Sequence, residues 1–151
     1  MRWVALLLFC MSLWGLEVPK NGDKILPITL KNQHGNEVSV NQIQKIVYLP
    51  DEKAFDLWKS FMKERSGAFI DKQGVKVVAD LSNAPSFVRS LFILPGLRKL
   101  DYEVLVIEDE FSPVIFQSIL EQVTVVTVDG AQQKNIRNLG SIEALRVFFK
   151  E

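Results

Sequence analysis

Gln122–Phe149 reads QVTVVTVDGAQQKNIRNLGSIEALRVFF and decides the architecture. β-Branched residues dominate Gln122–Val128, a composition that suits a pleated strand. Asp129-Gly130 is a strong hairpin signal, and Gln133–Arg137 supplies the returning strand. Gly140-Ser141 then introduces an amphipathic helix whose Ile142, Leu145, Phe148 and Phe149 face inward. The chain therefore ends as strand, turn, strand and helix, and the residues before it must provide the sheet that this unit joins.

Working back towards the start, Tyr102–Glu108 (YEVLVIE) predicts a strand, followed by a short helix from Ser112-Pro113 through Ile119. Val75–Leu81 (VKVVADL) is another strand, after which Ser82-Asn83-Ala84-Pro85 offers caps and a first-turn proline. Pro95-Gly96 interrupts the helical pattern of Ser86–Leu100, which predicts two short pieces. Lys45–Leu49 (KIVYL) is a short buried strand ended by Pro50, and Asp51 is placed to cap a helix over Lys53–Ser66. Phe55, Trp58, Phe61 and Met62 recur along that helix at its period, and Gly67 suits a left-handed residue after its end. Ile25–Val40 reads as a hairpin, with Ile28 and Leu30 alternating, then Val38 and Val40. Gly35 supplies the positive φ of its turn, and His34 is expected exposed there. Strands alternating with helices imply parallel pairing by right-handed crossovers, with antiparallel hairpins at both ends. One α/β domain over residues 25–151 follows.

The first fifteen residues, MRWVALLLFCMSLWG, have a different character. Arg2 precedes an apolar run from Trp3 to Trp14, too short for a bilayer-spanning helix of roughly 20 residues but suited to a signal peptide. Cleavage after Gly15 is expected, with residues 16–24 forming a polar joint. Phe9 stands before Cys10, where lipid attachment needs a small residue, so a lipoprotein site is not expected. The whole chain holds 18 basic and 18 acidic residues, one histidine and one cysteine. Such a balance removes the electrostatic case for nucleic acid and for anionic membrane surfaces, leaving membrane contact only through an uncleaved leader. Removing the leader would take away Cys10 and Arg2. The exported chain would then carry no thiol and a charge of −1, with seventeen basic against eighteen acidic residues. A disulfide framework and a zinc site of the usual Cys/His kind lack material.

The order of elements resembles the thioredoxin-like fold: a mixed sheet flanked by helices, with the N-terminal β-hairpin extension common in exported members. ITLKNQHGNEVSV at the front and VTVVTVDGAQQKNIRNLGSIEALRVFF at the back carry the likeness. VVADLSNAPSFVRSLF is similar to the strand-to-helix segment of the small periplasmic YtfJ-like proteins. The resemblance implies that a redox-active relative would carry a CxxC pair where the first core strand gives way to its helix. Here that junction reads Leu49-Pro50-Asp51-Glu52-Lys53-Ala54-Phe55-Asp56-Leu57. Relatives also place a proline immediately before the penultimate strand, where this chain has Gln122. Disulfide exchange needs a thiolate, and thiol peroxidase chemistry an oxidisable cysteine. Neither stands at this junction, so no catalytic residue of the family transfers.

Two surfaces remain as candidates. Ligands of open α/β sheets bind outside the carboxyl ends of the strands. Asp51, Glu52, Asp80 and Asp109 stand there, a ligand rim able in principle to hold Mg²⁺ or Ca²⁺ or to act as an acid–base pair. No DxD pair or calcium-loop spacing supports a metal, and the single glycines form neither a phosphate loop nor a dinucleotide fingerprint, so no cofactor is implied. The second candidate is the apolar stretch Phe87–Leu97, in which Phe87, Leu91, Phe92, Ile93 and Leu94 cannot all enter one core. Val114, Ile115 and Phe116 are available to cover it; otherwise it would meet an envelope protein or a second copy of the chain. The expectation is a periplasmic or secreted thioredoxin-fold protein without redox thiols, serving as a non-enzymatic binding or accessory protein. The alternative is a metal-assisted hydrolase or transferase at the acidic strand ends.

Overall fold

The computed structural model describes residues 18–110 and 116–150. Seven strands form one mixed sheet: β1 (Ile28–Asn32), β2 (Glu37–Val40), β3 (Lys45–Leu49), β4 (Val75–Asp80), β5 (Val104–Ile107), β6 (Val123–Asp129) and β7 (Gln132–Leu139). Their order across the sheet is β2-β1-β5-β4-β3-β6-β7. β3, β4 and β5 run parallel, while β1 joins β5 and β6 joins β3 in antiparallel pairing. The hairpins β1–β2 and β6–β7 therefore close the two sides of the sheet, as their turn residues predict, with Gly35 and Gly130 at positive φ and His34 exposed.

Strand alternation sends side chains to two faces. Val47, Leu49, Val77, Val104 and Val125 point to the face packed by α1 (Glu52–Met62), α2 (Gly67–Gln73) and the closing helix at Ile142–Phe148. Trp58, Phe61, Phe69 and Phe149 form an aromatic cluster there, with ring centroids 5.4–6.1 Å apart. Ile46, Tyr48, Val78, Leu105 and Val126 point to the other face, where Leu26 and Phe116 pack against them.

Several expectations are corrected. α1 ends at Met62, and Gly67 opens a second helix instead of ending the first. Its missing side chain has another use: a Cβ there would lie 2.5 Å from the Asp101 carbonyl oxygen, which crosses the helix start. Gly74 is the residue that takes the left-handed conformation, with φ 62°. Ser86–Leu97 is not two pieces. It runs as α3 (Ser86–Val88), a π-helical stretch (Arg89–Ile93) and α4 (Leu94–Leu97), with helical φ and ψ through every junction. Pro95 has no N–H to donate and would crowd the carbonyl four residues back. Widening the preceding turns, with the Leu94 N–H reaching back to the Arg89 carbonyl, accommodates it without a break. The last helix is thus α5 (Ile142–Phe148), capped by the Ser141 hydroxyl.

The helix expected from Ser112 to Ile119 is absent over residues 116–119, which are irregular; residues 111–115 lie outside those described. From residue 18 onward, the joint expected over 16–24 is not a free linker. Gly22 N–H donates to the Gln133 carbonyl (2.6 Å), Gln133 N–H donates to the Asp23 carbonyl (2.8 Å), and Lys24 bridges Gln132. The leader expected over residues 1–15 lies outside the described residues.

Candidate functional site

The strand-to-helix junction after β3 is a polar clamp. Asp51 caps α1 through Oδ1, which accepts the Ala54 N–H at 2.8 Å. Its second oxygen accepts the Glu121 N–H at 2.7 Å. Glu121 sits just before β6 with a left-handed φ of 68°, unusual for a side chain of this kind. One carboxylate thus ties the start of α1 to the segment entering β6, 70 residues later. Lys53 adds an exposed ion pair to Glu121 at 2.7 Å, and that bond holds its ammonium above the ordinary lysine value.

Asp80, at the end of β4, is also engaged on both oxygens. Tyr48 OH donates to Oδ2 at 2.6 Å, and the Ser82 hydroxyl and N–H donate to Oδ1 at 2.6 and 3.0 Å. Burial and the adjacent carboxylate push the Tyr48 hydroxyl far above the ordinary tyrosine range. Phe116 meets the Tyr48 ring edge-on at 5.7 Å. Glu52 is exposed in the first turn of α1, and Asp109 is exposed after β5. The four carboxylates of the predicted rim stand on three separate strand ends, and two of them bond to backbone and hydroxyl donors. Among the described residues no three His, Cys, Asp or Glu side chains gather as a metal site.

The apolar candidate divides. Ile93 and Leu94 are partly buried and pack on the α1 face of the sheet. Phe87, Leu91 and Phe92 remain 63%, 66% and 71% exposed. Phe116, one of the residues expected to cover them, is instead buried on the opposite face of the sheet, and Val114 and Ile115 lie outside the described residues. Arg89 fixes this helical run to the strand ends by donating to the carbonyls of Leu81 and Glu108. Sequence reading did not find Ile119 and Leu120, which are 50% and 72% exposed beside Glu121. Their only signal was two apolar residues at and just after the end of a predicted helix, where residues 116–119 are irregular. β4 and β6 flank β3, so the helical run leaves, and the Ile119-Leu120 segment enters, strands on either side of the Asp51 junction.

Solved structures share the fold of this chain. Peroxidoxin BcpB from Mycobacterium tuberculosis is 15% identical, with a TM-score of 0.55 over 87% of this chain and 94% of that one. The fold is thioredoxin-like. A candidate thiol:disulfide interchange protein DsbE from Chlorobium tepidum is 13% identical, with a TM-score of 0.54 over 86% and 94% of the two chains. A peroxiredoxin-like protein from Aquifex aeolicus is also 13% identical, with a TM-score of 0.51 over 89% and 88%. No protein-family model and no curated protein matches the sequence. Identities this low carry the fold and nothing of the activity.

Proposed function

We propose that this thioredoxin-fold chain is an exported, non-enzymatic binding or accessory protein of the cell envelope, similar in layout to the YtfJ-like proteins. The observation that carries the reading is Asp51. Where a redox-active member of the fold would present a cysteine, this chain presents a carboxylate whose two oxygens both accept backbone N–H groups. A group so engaged holds two segments together and leaves no nucleophile at the helix start. On the helical run after β4, Phe87, Leu91 and Phe92 expose apolar area, the usual mark of a contact surface. The apolar leader, Trp3–Trp14 behind Arg2, supports export.

The test is site-specific photo-crosslinking in living cells, with the crosslinking residue placed at Leu91 or, as a control, at exposed Lys134 on β7. A discrete adduct from position 91 alone, lost with Phe92→Glu, supports the reading. The absence of any adduct from 91 counts against it. So does saturable Mg²⁺ or Ca²⁺ uptake in calorimetry that disappears with Asp51→Asn or Asp80→Asn, since that result belongs to a metal-assisted enzyme.

A further inference from the structure

We infer that the partner of the Ser86–Leu97 surface is a second copy of the same chain, packed antiparallel about a two-fold axis through Leu91 and Phe92. The inference rests on the reading of that surface as a contact face and adds to it the identity of the occupant.

The helical run has twelve residues and is about 18 Å long. Leu91 and Phe92 stand at its midpoint. Phe87 lies before that midpoint by as much as Gly96 lies beyond it. Gly96 is exposed, and a Cβ placed there would meet nothing within 4 Å. A two-fold axis at the midpoint therefore sets each Phe87 ring over the partner's bare backbone at Gly96. The bulky end of the stripe meets its open end, the self-complementarity that an isologous contact requires.

Charge obeys the same symmetry. Arg89 holds the Glu108 carbonyl, which brings exposed Glu108 and Glu110 to the amino half of the run. Arg89 itself is turned onto the backbone oxygens of Leu81 and Glu108. Exposed Arg98 and Lys99 occupy the other end, Arg98 donating from Nε to the Gln33 carbonyl. Antiparallel packing puts the acidic end of one copy beside the basic end of the other at both rims. A parallel arrangement would set like charges together. Three exposed side chains supply less than the roughly 800 Å² per partner of a standard interface, so the association is weak and concentration-dependent.

Sedimentation velocity of the purified protein over a concentration series tests this. A reversible monomer–dimer equilibrium is expected. Phe92→Glu should raise the dissociation constant at least about tenfold, as loss of a central anchor does. Two charge-reversed proteins, E108K/E110K and R98E/K99E, should each be monomeric alone and form a heterodimer when mixed, because mixing restores opposite charges at both rims. Circular dichroism melts matching the wild type would confirm that these surface variants fold. A wild type that stays monomeric at every concentration overturns the inference, as does a dimer indifferent to Phe92→Glu or a mixture that fails to pair. If the protein is monomeric but Leu91 still crosslinks a different envelope protein, the inference falls and the binding reading stands.

Discussion

The junction after β3 and the helical run after β4 follow neighbouring parallel strands, and they are opposites. At the junction, polar groups are consumed: Asp51 and Asp80 each engage both carboxylate oxygens, and Tyr48 donates to Asp80. On the helical run, Phe87, Leu91 and Phe92 stand uncovered. The start of α1 is a strut to the segment entering β6, and the helical run presents exposed apolar area.

The sharpest way to break this contrast is to truncate one aromatic on each side. Phe61→Ala, in the buried face of α1, should lower unfolding free energy by about 3–5 kcal/mol. Phe92→Ala, in dilute protein, should change it by no more than about 0.5 kcal/mol. Urea denaturation measures both, and a large loss from Phe92→Ala would show that its ring is internal after all.

Next in size is the strut. Asp51→Ala removes a helix cap and a second backbone bond, with an expected loss of about 2 kcal/mol. Asp51→Asn keeps a capping oxygen and should lose less. If both variants unfold like the wild type, the two segments do not depend on the clamp.

The third test is alkaline titration, which compares Tyr48 in the junction with Tyr102 away from it. Burial pushes the Tyr102 hydroxyl up to about 12 from an ordinary value of 10, against the smaller opposing effect of the Trp58 indole N–H. An unfolded tyrosine ionises near 10, before the folded one, so the unfolded state sheds its proton first. Stability should hold up to about pH 10 and fall as pH rises towards 12. Tyr102→Phe should flatten part of that decline, and Tyr48→Phe should flatten it further because its shift is also upward. Denaturation midpoints against pH read the effect, and an unchanged slope in both variants would contradict it.

The smallest effect is expected from Lys53→Met. The Lys53–Glu121 pair is largely exposed, where solvent and salt screen it, so its removal should leave the urea midpoint unmoved. A clear shift would mean that the junction depends on charge as well as on the Asp51 bonds.

Much of this architecture was legible from local pattern. Alternation in Ile28–Val40 and the Asp129-Gly130 turn gave both hairpins, and Asp51 gave the cap of α1. What was not legible depends on contacts between distant residues. Gly67 looked like a helix end because glycine usually is one, whereas its use is to let the Asp101 carbonyl pass, 34 residues away. Pro95 looked like a break because nothing local announces a π-helical turn. Asp51 was read as a cap and as a ligand; its bond to Glu121 could not be foreseen without knowing how β6 returns beside β3. The apolar stretch was recognised, but which of its five residues stay outside depended on the rotation of one short helix.

The tie between the chain's early residues and its terminal hairpin has a consequence for the order of folding. The Gln133 side chain reaches Pro19 across 114 positions, and the Gly22 and Ile25 N–H groups donate to Gln133 and Ala131. Contacts so distant in sequence carry the largest loop-closure cost, and they add little until β6 and β7 already stand as a template. This stitch is therefore expected to close last, after the parallel strands have assembled. It should also open first in the native state, its amides exchanging with solvent well ahead of those in β3 and β4.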